Sequence, residues 1–451
     1  MVTRREFTLG LTALAFTGLA GCDLGKIARN KTVKTSEGFG ELIPDPNKLL
    51  DLPKGFSYSV ISEFGQQMTD GLSVADRADG MGCLYYDEDR VVLIRNHELK
   101  PSHLETQPES IKLFRSNNAY DTYANGVALP GGTTNIVYNL KTEQVEQEFV
   151  SLVGTIRNCS GGITPWQTWL SCEETLDKPD GNISKEHGYI FEVPANATST
   201  VKAIPLKAMG RFNHEAAAVD PQTGIVYLTE DRGDGLFYRF IPKTYGKLVE
   251  GGQLQALAIK SERQFDTRNW KHNTLPLSAW LDVEWVDINN PESPEDDLRI
   301  QGYEKGAALF ARGEGIHWGK NECYFCCTNG GKKQLGQIMR YQPSVDEGTN
   351  NEANKAGRIQ LFLESEDKSL FNFGDNLVVT PFGDLIVCED QYTDIVGNHL
   401  RGVTPKGELY DFARLQEQTE LAGACFSPDG RTMFVNVYSP TKTLAIKGPW
   451  S

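Results

Sequence analysis

Along most of the chain, apolar residues come in short runs or alternate with polar ones, and Gly, Asn, Asp and Pro break the runs at short intervals. That pattern predicts β-strands joined by turns. Helical spacing is scarce: only "PESIKLFRSN" and "LYDFARLQEQ" carry it, and each is long enough for only a couple of turns. The strand-like runs recur as a degenerate repeat, in which a run ending in acidic or amide residues precedes one reading Gly-apolar-aromatic-charged-aromatic. "VVLIRNHE" (91–98) precedes "TNIVYNL", "TWLSCEE" (168–174) precedes "GYIFEV", and "IVYLTED" (225–231) precedes "GLFYRF". "CYFCCTNG" (323–330) then precedes "GQIMRY", and "DLIVCED" (384–390) precedes "GELYDF". "TMFVNVY" (432–438) comes last with no partner after it, and "GFSYSVI" (55–61) stands near the start with none before it.

A propeller closed by pairing its first and last strands accounts for both orphans at once. A pair of β-sandwiches would leave similar runs. The expected fold is therefore all-β, a six-bladed β-propeller occupying residues 51–445 as a single domain, after a linker over 26–50. Six blades in this length take roughly 70 residues each, against about 40 to 45 for a compact repeat, so long loops must decorate the ring. The longest interval, from Asp231 to Asn329, holds "PESPEDDLRIQGYEK" and is expected to form a lid or an insertion.

Composition narrows the function classes. The chain has 451 residues, 39% of them hydrophobic and 23% charged, enough to bury a sizeable core. Its formal net charge of −15 argues against a nucleic-acid backbone as partner, since such binders concentrate Lys and Arg. Residues 1–25 read as an export signal: Arg4-Arg5 form a twin-arginine pair, and the apolar run "LGLTALAFTGLAG" is too short to span a bilayer. Leu19-Ala20-Gly21-Cys22 resembles a lipobox, which makes Cys22 the lipidated first residue of the mature chain; an ordinary cleaved signal with Cys22 incidental is the alternative. The expectation is a protein of the periplasm or cell envelope, carried by the twin-arginine export machinery, touching a membrane only through the lipid. That route carries folded proteins and so suits a chain that acquires a metal before export. The other cysteines lie mostly in strand-like runs, where cysteine serves as a small buried hydrophobe. Cys323-x-x-Cys326-Cys327 lacks the second pair a zinc site needs.

If the repeated runs occupy equivalent places, their ends meet on one face of the central channel. Glu98, Glu174, Glu230 or Asp231, Asn329, Asp390 and Asn436 then point to a common centre. Ionised carboxylates cannot share a low-dielectric channel unless cations neutralise them. An oxygen-rich cluster suits Ca²⁺, and a thiolate among the oxygens favours iron or zinc. The competing reading has each carboxylate capping a turn or pairing with an arginine.

The segment "GTIRNCSGGITPWQTWLSCEE" (154–174) makes the case specific. Its Asn-Cys-small-Gly-Gly-x-Thr-Pro-Trp-x-Thr-Trp-x-x-Cys-Glu-Glu run resembles that of the PhoX-type alkaline phosphatases, of which this would be a short member. Further matches are Asn96-His97-Glu98, Gly210-Arg211-Phe212 with His214-Glu215, Thr229-Glu230-Asp231 with Tyr238-Arg239-Phe240, Phe310 with Arg312-Gly313-Glu314-Gly315, Asp375-Asn376, and Glu420 with Gly423. The resemblance runs from about residue 50 to 440. It implies a six-bladed propeller with an Fe³⁺ and Ca²⁺ cluster near its axis, which hydrolyses small phosphate monoesters with a metal-bound oxygen nucleophile. It further implies Cys159 as an iron ligand and Glu215 and Glu314 as bridging or iron-bound carboxylates. Glu98, Glu174, Glu230, Asp231, Asp375 and Asp390 are implied as calcium or iron contacts. Arg312 is placed to hold a phosphate oxygen. His214, like His97, either donates a proton to the leaving alkoxide or orients the neighbouring glutamate. Ser160 lacks an identifiable base and is not expected to be a nucleophile. The cysteine-rich "CYFCCTNGG" unit and the short chain depart from the family pattern. Two other readings stay open: a calcium-dependent propeller hydrolase of the lactonase or phytase kind, and a non-catalytic, lipid-anchored propeller holding structural calcium.

Overall fold

The structure, a computed structural model, describes residues 34–391 and 397–450. The expected export signal, with Arg4, Arg5 and Cys22, lies outside those residues, as does the first part of the expected linker. The later part is built into a sheet: Thr35 bridges to Leu409, Leu42–Ile43 pairs with Leu50–Pro53, and Leu50–Pro53 pairs with Leu409–Leu415. No helix among the described residues is long and apolar enough to cross a membrane.

Regular structure is almost all β-strand, and the fold is propeller-like. Inner strands Ala78–Tyr85, Asn158–Ile163, His214–Val219, Gly313–Trp318, Gly374–Val379 and Leu421–Phe426 pack each against the next in a closed ring. Each pairs antiparallel with the strand that follows it: Arg90–His97, Thr168–Glu173, Val226–Glu230, Cys323–Cys327, Leu385–Glu389 and Thr432–Val437 respectively. The ring closes where Ser57–Glu63 pairs with Lys442–Lys447, a strand not foreseen in the sequence, which pairs in turn with Thr432–Val437 and so links the two orphan runs through one strand between them.

Two sequence expectations need correction. Hydrogen bonding among the described residues makes five sheets and not six separate ones, because two units fuse into a nine-stranded sheet. The cause is Trp280–Asp287, which pairs with Gly252–Ile259 on one side and Arg358–Glu364 on the other. The long interval between Asp231 and Asn329 thus supplies a bridging strand, together with the short helix Leu298–Glu304. "LYDFARLQEQ" is no helix: Leu409–Leu415 is a strand paired on both edges. Phe412 is an extra residue there between the pairs Leu400↔Ala413 and Arg401↔Asp411. That bulge breaks the two-residue alternation and leaves Asp411 and Arg414 exposed three apart, the spacing that imitates a helix. "PESIKLFRSN" does contain a helical turn, Glu109–Lys112.

Apolar side chains fill the spaces between neighbouring sheets. One cluster holds Tyr227, Phe237, Phe325, Met339 and Tyr341, and another Leu400, Phe412, Met433 and Val435. Each such side chain contributes about 1.5–3 kcal/mol by leaving water. The described cysteines are all free and buried, and Cys323, Cys326 and Cys327 pack as small apolar groups.

Candidate metal centre

Each inner strand carries the same irregularity near its start. Between Ala78 and Met81, Asn158 and Gly161, His214 and Ala217, Gly313 and Ile316, Gly374 and Leu377, and Ala422 and Cys425, the register slips against the second strand. Such a bulge re-aims a side chain that the pleat would otherwise point elsewhere. The first bulged residues are Asp79, Cys159, Glu215, Glu314, Asp375 and Gly423. Five of these offer metal-ligating groups, and the sixth is a glycine.

A second set comes from the ends of the second strands. The N–H groups of Glu98, Glu174, Asp231, Thr328, Asp390 and Tyr438 donate to the carbonyls of Arg77, Arg157, Asn213, Arg312, Phe373 and Glu420 at 2.9, 2.9, 3.2, 3.0, 2.9 and 3.1 Å. These repeated bonds clip the residue beyond each second strand, acidic in four of the six units, beside the bulge of its own unit. Arg77, Arg157, Arg312 and Phe373 are all left-handed, with φ of 58°, 51°, 51° and 47°. Non-glycine residues rarely adopt that conformation, and its recurrence beside the cluster fits strain concentrated at a functional site.

The side chains converge. Ligand atoms of Cys159, Glu174 and Glu215 lie within 4.8 Å of one another, as do those of Glu215, Glu314 and Asp375, so Glu215 belongs to both groups. Burial, then the charges of Asp375 and Glu174, holds the Glu215 carboxyl well above its ordinary range. Glu314 is raised in the same way by burial, Asp231 and Glu215, and Asp375 is pushed up to about 7 by burial and Asp390. The Cys159 thiol is raised by burial and by Glu215 and Glu174. Carboxyls packed this densely away from water must hold protons or share cations. Two arginines border them. Arg157 donates from Nε to Glu98 at 2.9 Å, from Nη1 to the Glu174 carbonyl at 2.9 Å, and from Nη2 to the Glu174 carboxylate. Arg312 donates from Nε and Nη2 to Asp231 at 2.6 and 2.7 Å, and from Nη2 to Glu314 at 3.1 Å.

Most of the residues singled out in the sequence meet here: Cys159, Glu98, Glu174, Glu215, Asp231, Glu314, Asp375 and Arg312, with Asp390 beside Asp375 and Glu420. Glu230 does not. It is the last paired residue of its strand, so the pleat turns it away from Asp231, and its carboxylate accepts from the Leu236 N–H at 3.1 Å and the Tyr238 hydroxyl at 2.8 Å. His214 is likewise turned away from Glu215. Its ring lies 3.6 Å from the Phe212 ring, Nε2 contacts the Gly210 carbonyl at 2.9 Å, and burial lowers its pKa to about 3. It is a neutral packing group and no proton donor to the cluster. His97 is held between the Asp76 carbonyl and Thr134 Oγ1, also with its pKa lowered to about 3 by burial. Thr328 takes the place expected for Asn329, and Asn436 is spent on the Asp79 carbonyl at 2.6 Å and on Thr443.

Sequence reasoning missed Asp79 and gave Glu420 no ligand role. Burial, Asp375 and Glu98 raise Asp79, and burial with Asp390 raises Glu420, so both belong to the acidic cluster. A signal for Asp79 was present: Asp79-Gly80, Cys159-Ser160, Glu215-Ala216, Glu314-Gly315 and Asp375-Asn376 each pair a ligating residue with a small or amide one ahead of an apolar strand.

Beyond the bulges the inner strands line a cavity of about 630 Å³, walled by Leu84, Ile163, Val219, Trp318, Val379 and Phe426 among others. The strands touch at the bulges: a Cβ on Gly80 would lie 2.5 Å from the Ser160 Cα, and one on Gly315 would lie 2.6 Å from the Asn376 Cα. The cavity reaches the bulges themselves, where Ser160, Gly315, Asn376 and Gly423 line it beside the ligating residues.

Comparison with known proteins bears on the fold and the family. The chain is similar in fold to Pseudomonas fluorescens PhoX, solved in complex with vanadate, a transition state analogue: 19% identity, 91% of this chain and 98% of that one covered, TM-score 0.69. It aligns more loosely with XC5397, a gluconolactonase from Xanthomonas campestris, at 11% identity, covering 91% of this chain and 98% of that one, with a TM-score of 0.43. No curated protein sequence matches. The family model for alkaline phosphatase PhoX matches residues 37–137 and 122–441, most of the chain. The chain therefore belongs to the PhoX alkaline phosphatase family and is a phosphoric ester hydrolase.

Proposed function

We propose that this phosphatase hydrolyses small phosphate monoesters at an Fe³⁺ and Ca²⁺ centre, built on the bulges of a single propeller-like domain. The reading extends to twin-arginine export and to a lipid on Cys22 that holds the protein at the cell envelope. The observation that carries it is the pair of ligand triads sharing Glu215, with Arg312 at their edge.

The donor chemistry fits the metals. A thiolate beside two carboxylates suits iron, and this chain offers that set in Cys159, Glu174 and Glu215. An all-oxygen set suits calcium, and Glu215, Glu314 and Asp375 provide it, with Asp79, Glu98, Asp231 and Asp390 as further oxygen donors. The bound metals supply Lewis-acid activation of water and neutralise charge on the phosphoryl oxygens. The protein's own share is positional. Arg312 is fixed by Asp231 and Glu314, while its Nη1 donates no hydrogen bond among the described residues. That leaves donors for a phosphoryl oxygen in a charge-assisted bond. The ligands must shed the protons their burial favours, so loading the site releases protons.

Elemental analysis of protein purified without chelator, with p-nitrophenyl phosphate hydrolysis by wild type, Cys159→Ser and Arg312→Ala, tests the proposal. Iron and calcium are expected together. Cys159→Ser should lose iron and activity; Arg312→Ala should keep its metals and lose roughly 10²–10³-fold in kcat/KM. Metal-loaded wild type that hydrolyses no phosphate ester would overturn it, and calcium without iron would replace the iron–calcium centre with a calcium-only one.

A further inference from the structure

Arg312 has a counterpart across the cluster. Arg157 stands two residues ahead of Cys159 as Arg312 stands two ahead of Glu314, and both are left-handed with φ of 51°. The Arg157 carbonyl clips Glu174 as the Arg312 carbonyl clips Thr328. The two guanidinium groups hold neighbouring carboxylates: Arg157 grips Glu98 and Glu174, Arg312 grips Asp231 and Glu314, and Asp231 lies close enough to Glu174 for its charge to raise that carboxyl. The arginines thus flank a single carboxylate pair.

Both are open to solvent, unlike the arginines of the core. The Arg157 and Arg312 side chains are 25% and 38% exposed, whereas Arg95 and Arg211 are fully buried. A guanidinium has five N–H donors. Arg157 commits one each from Nε, Nη1 and Nη2, which leaves two uncommitted. The third arginine of the same type, Arg77, lies over the Tyr438 ring and donates to its hydroxyl at 2.9 Å, whereas Arg157 and Arg312 each grip two carboxylates.

We propose that Arg157 is a second phosphate-binding residue, pairing with Arg312 across Glu174 and Asp231 so that two guanidinium groups hold the phosphoryl group undergoing transfer. This rests on the phosphatase reading above. A phosphoryl dianion approaching this many carboxylates needs cationic donors aimed at its equatorial oxygens, and two arginines already fixed by carboxylates present them at little further cost in side-chain entropy. The alternative is that Arg157 only neutralises Glu98 and Glu174.

Arg157→Gly and Arg157→Lys separate the two. Glycine accepts φ of 51° without strain, so Arg157→Gly removes the guanidinium while favouring the native backbone. Lysine keeps the charge but not the forked donors. Calorimetric binding of inorganic phosphate to the metal-loaded proteins, with iron and calcium measured on the same samples, should show at least a tenfold loss of affinity in both variants at unchanged metal content. Phosphate affinity within twofold of wild type, full rescue by lysine, or a loss that tracks missing metal would overturn the assignment. Wild type that binds phosphate and hydrolyses esters while Arg157→Gly does both equally well sinks this inference alone. Wild type that does neither sinks the phosphatase reading and this inference with it.

Discussion

His187 shows what one buried residue does behind the cluster. Its imidazole is fully buried, with Nδ1 2.6 Å from Glu173 and Nε2 3.4 Å from Asp121. Burial alone would lower its pKa, but the two carboxylates outweigh it and push it up to about 9. Glu173 also accepts from the N–H groups of Ile156, Gly188 and Tyr189, so the charged histidine helps to anchor the strand end from which Glu174 projects. The folded pKa stands above the unfolded value of about 6.5. The stabilisation is therefore complete below pH 6.5 and is lost as pH rises towards 9. The stability gap between wild type and His187→Gln, taken from urea midpoints, should shrink by an amount on the order of 3 kcal/mol over that window. A gap constant from pH 6 to 9.5 would show that His187 carries no charge. The residue scale is also where the sequence is least decisive. His214 and Glu215, like Glu230 and Asp231, are neighbours of similar chemistry, and only strand parity settles which one of each pair faces the cluster.

At the scale of elements, the bulge is the unit that builds the site, and its sixth copy tests the idea. Gly423 occupies the ligand position with φ of +62°, and a Cβ there would lie 2.5 Å from the Asp79 carbonyl oxygen and 2.6 Å from the Met81 nitrogen. Gly423→Ala should lose at least about 2 kcal/mol, combining the left-handed penalty with a backbone clash. It should also lower calcium content by displacing Asp79. Stability within about 0.5 kcal/mol of wild type would contradict so close an approach. The strands themselves were legible because they alternate, and ring closure was legible because two runs lacked partners. A bulge hides from that kind of reading. It breaks alternation and leaves only a two-residue mark, a ligating residue followed by a small or amide one, which is why Asp79 went unseen and why Leu409–Leu415 imitated a helix. The bridging strand Trp280–Asp287 hid for another reason: its partners are fixed by tertiary pairing with segments distant in sequence.

At the scale of the whole molecule, the ring concentrates acids that the fold alone cannot satisfy. Asp375, pushed up to about 7, and the raised Asp79, Glu215, Glu314 and Glu420 keep protons in the native state that the unfolded chain has already released. Without cations the native state binds the more protons, so stability should fall as pH rises from about 4 through 7 and beyond. Bound cations remove the dependence, because they hold the ligands deprotonated and bind only the folded form. Melting temperatures after exhaustive chelation should drop steadily from pH 5 to 8.5 while those of the loaded protein change little. Parallel curves would contradict a cation-filled cluster.

The closing strand has a consequence for biosynthesis. Ser57–Glu63 leaves the ribosome almost a full chain length before Lys442–Lys447, the strand it must pair with. The acidic cluster spans the same interval, from Asp79 in the first unit to Glu420 near the last. Early units therefore wait, with one edge unpaired, until translation is nearly complete. A nascent chain that stalls before residue 420 lacks part of the acidic cluster, and one that stalls before residue 442 has the cluster residues but no closed ring to hold them, so maturation of the enzyme is completed only when its final strand is made.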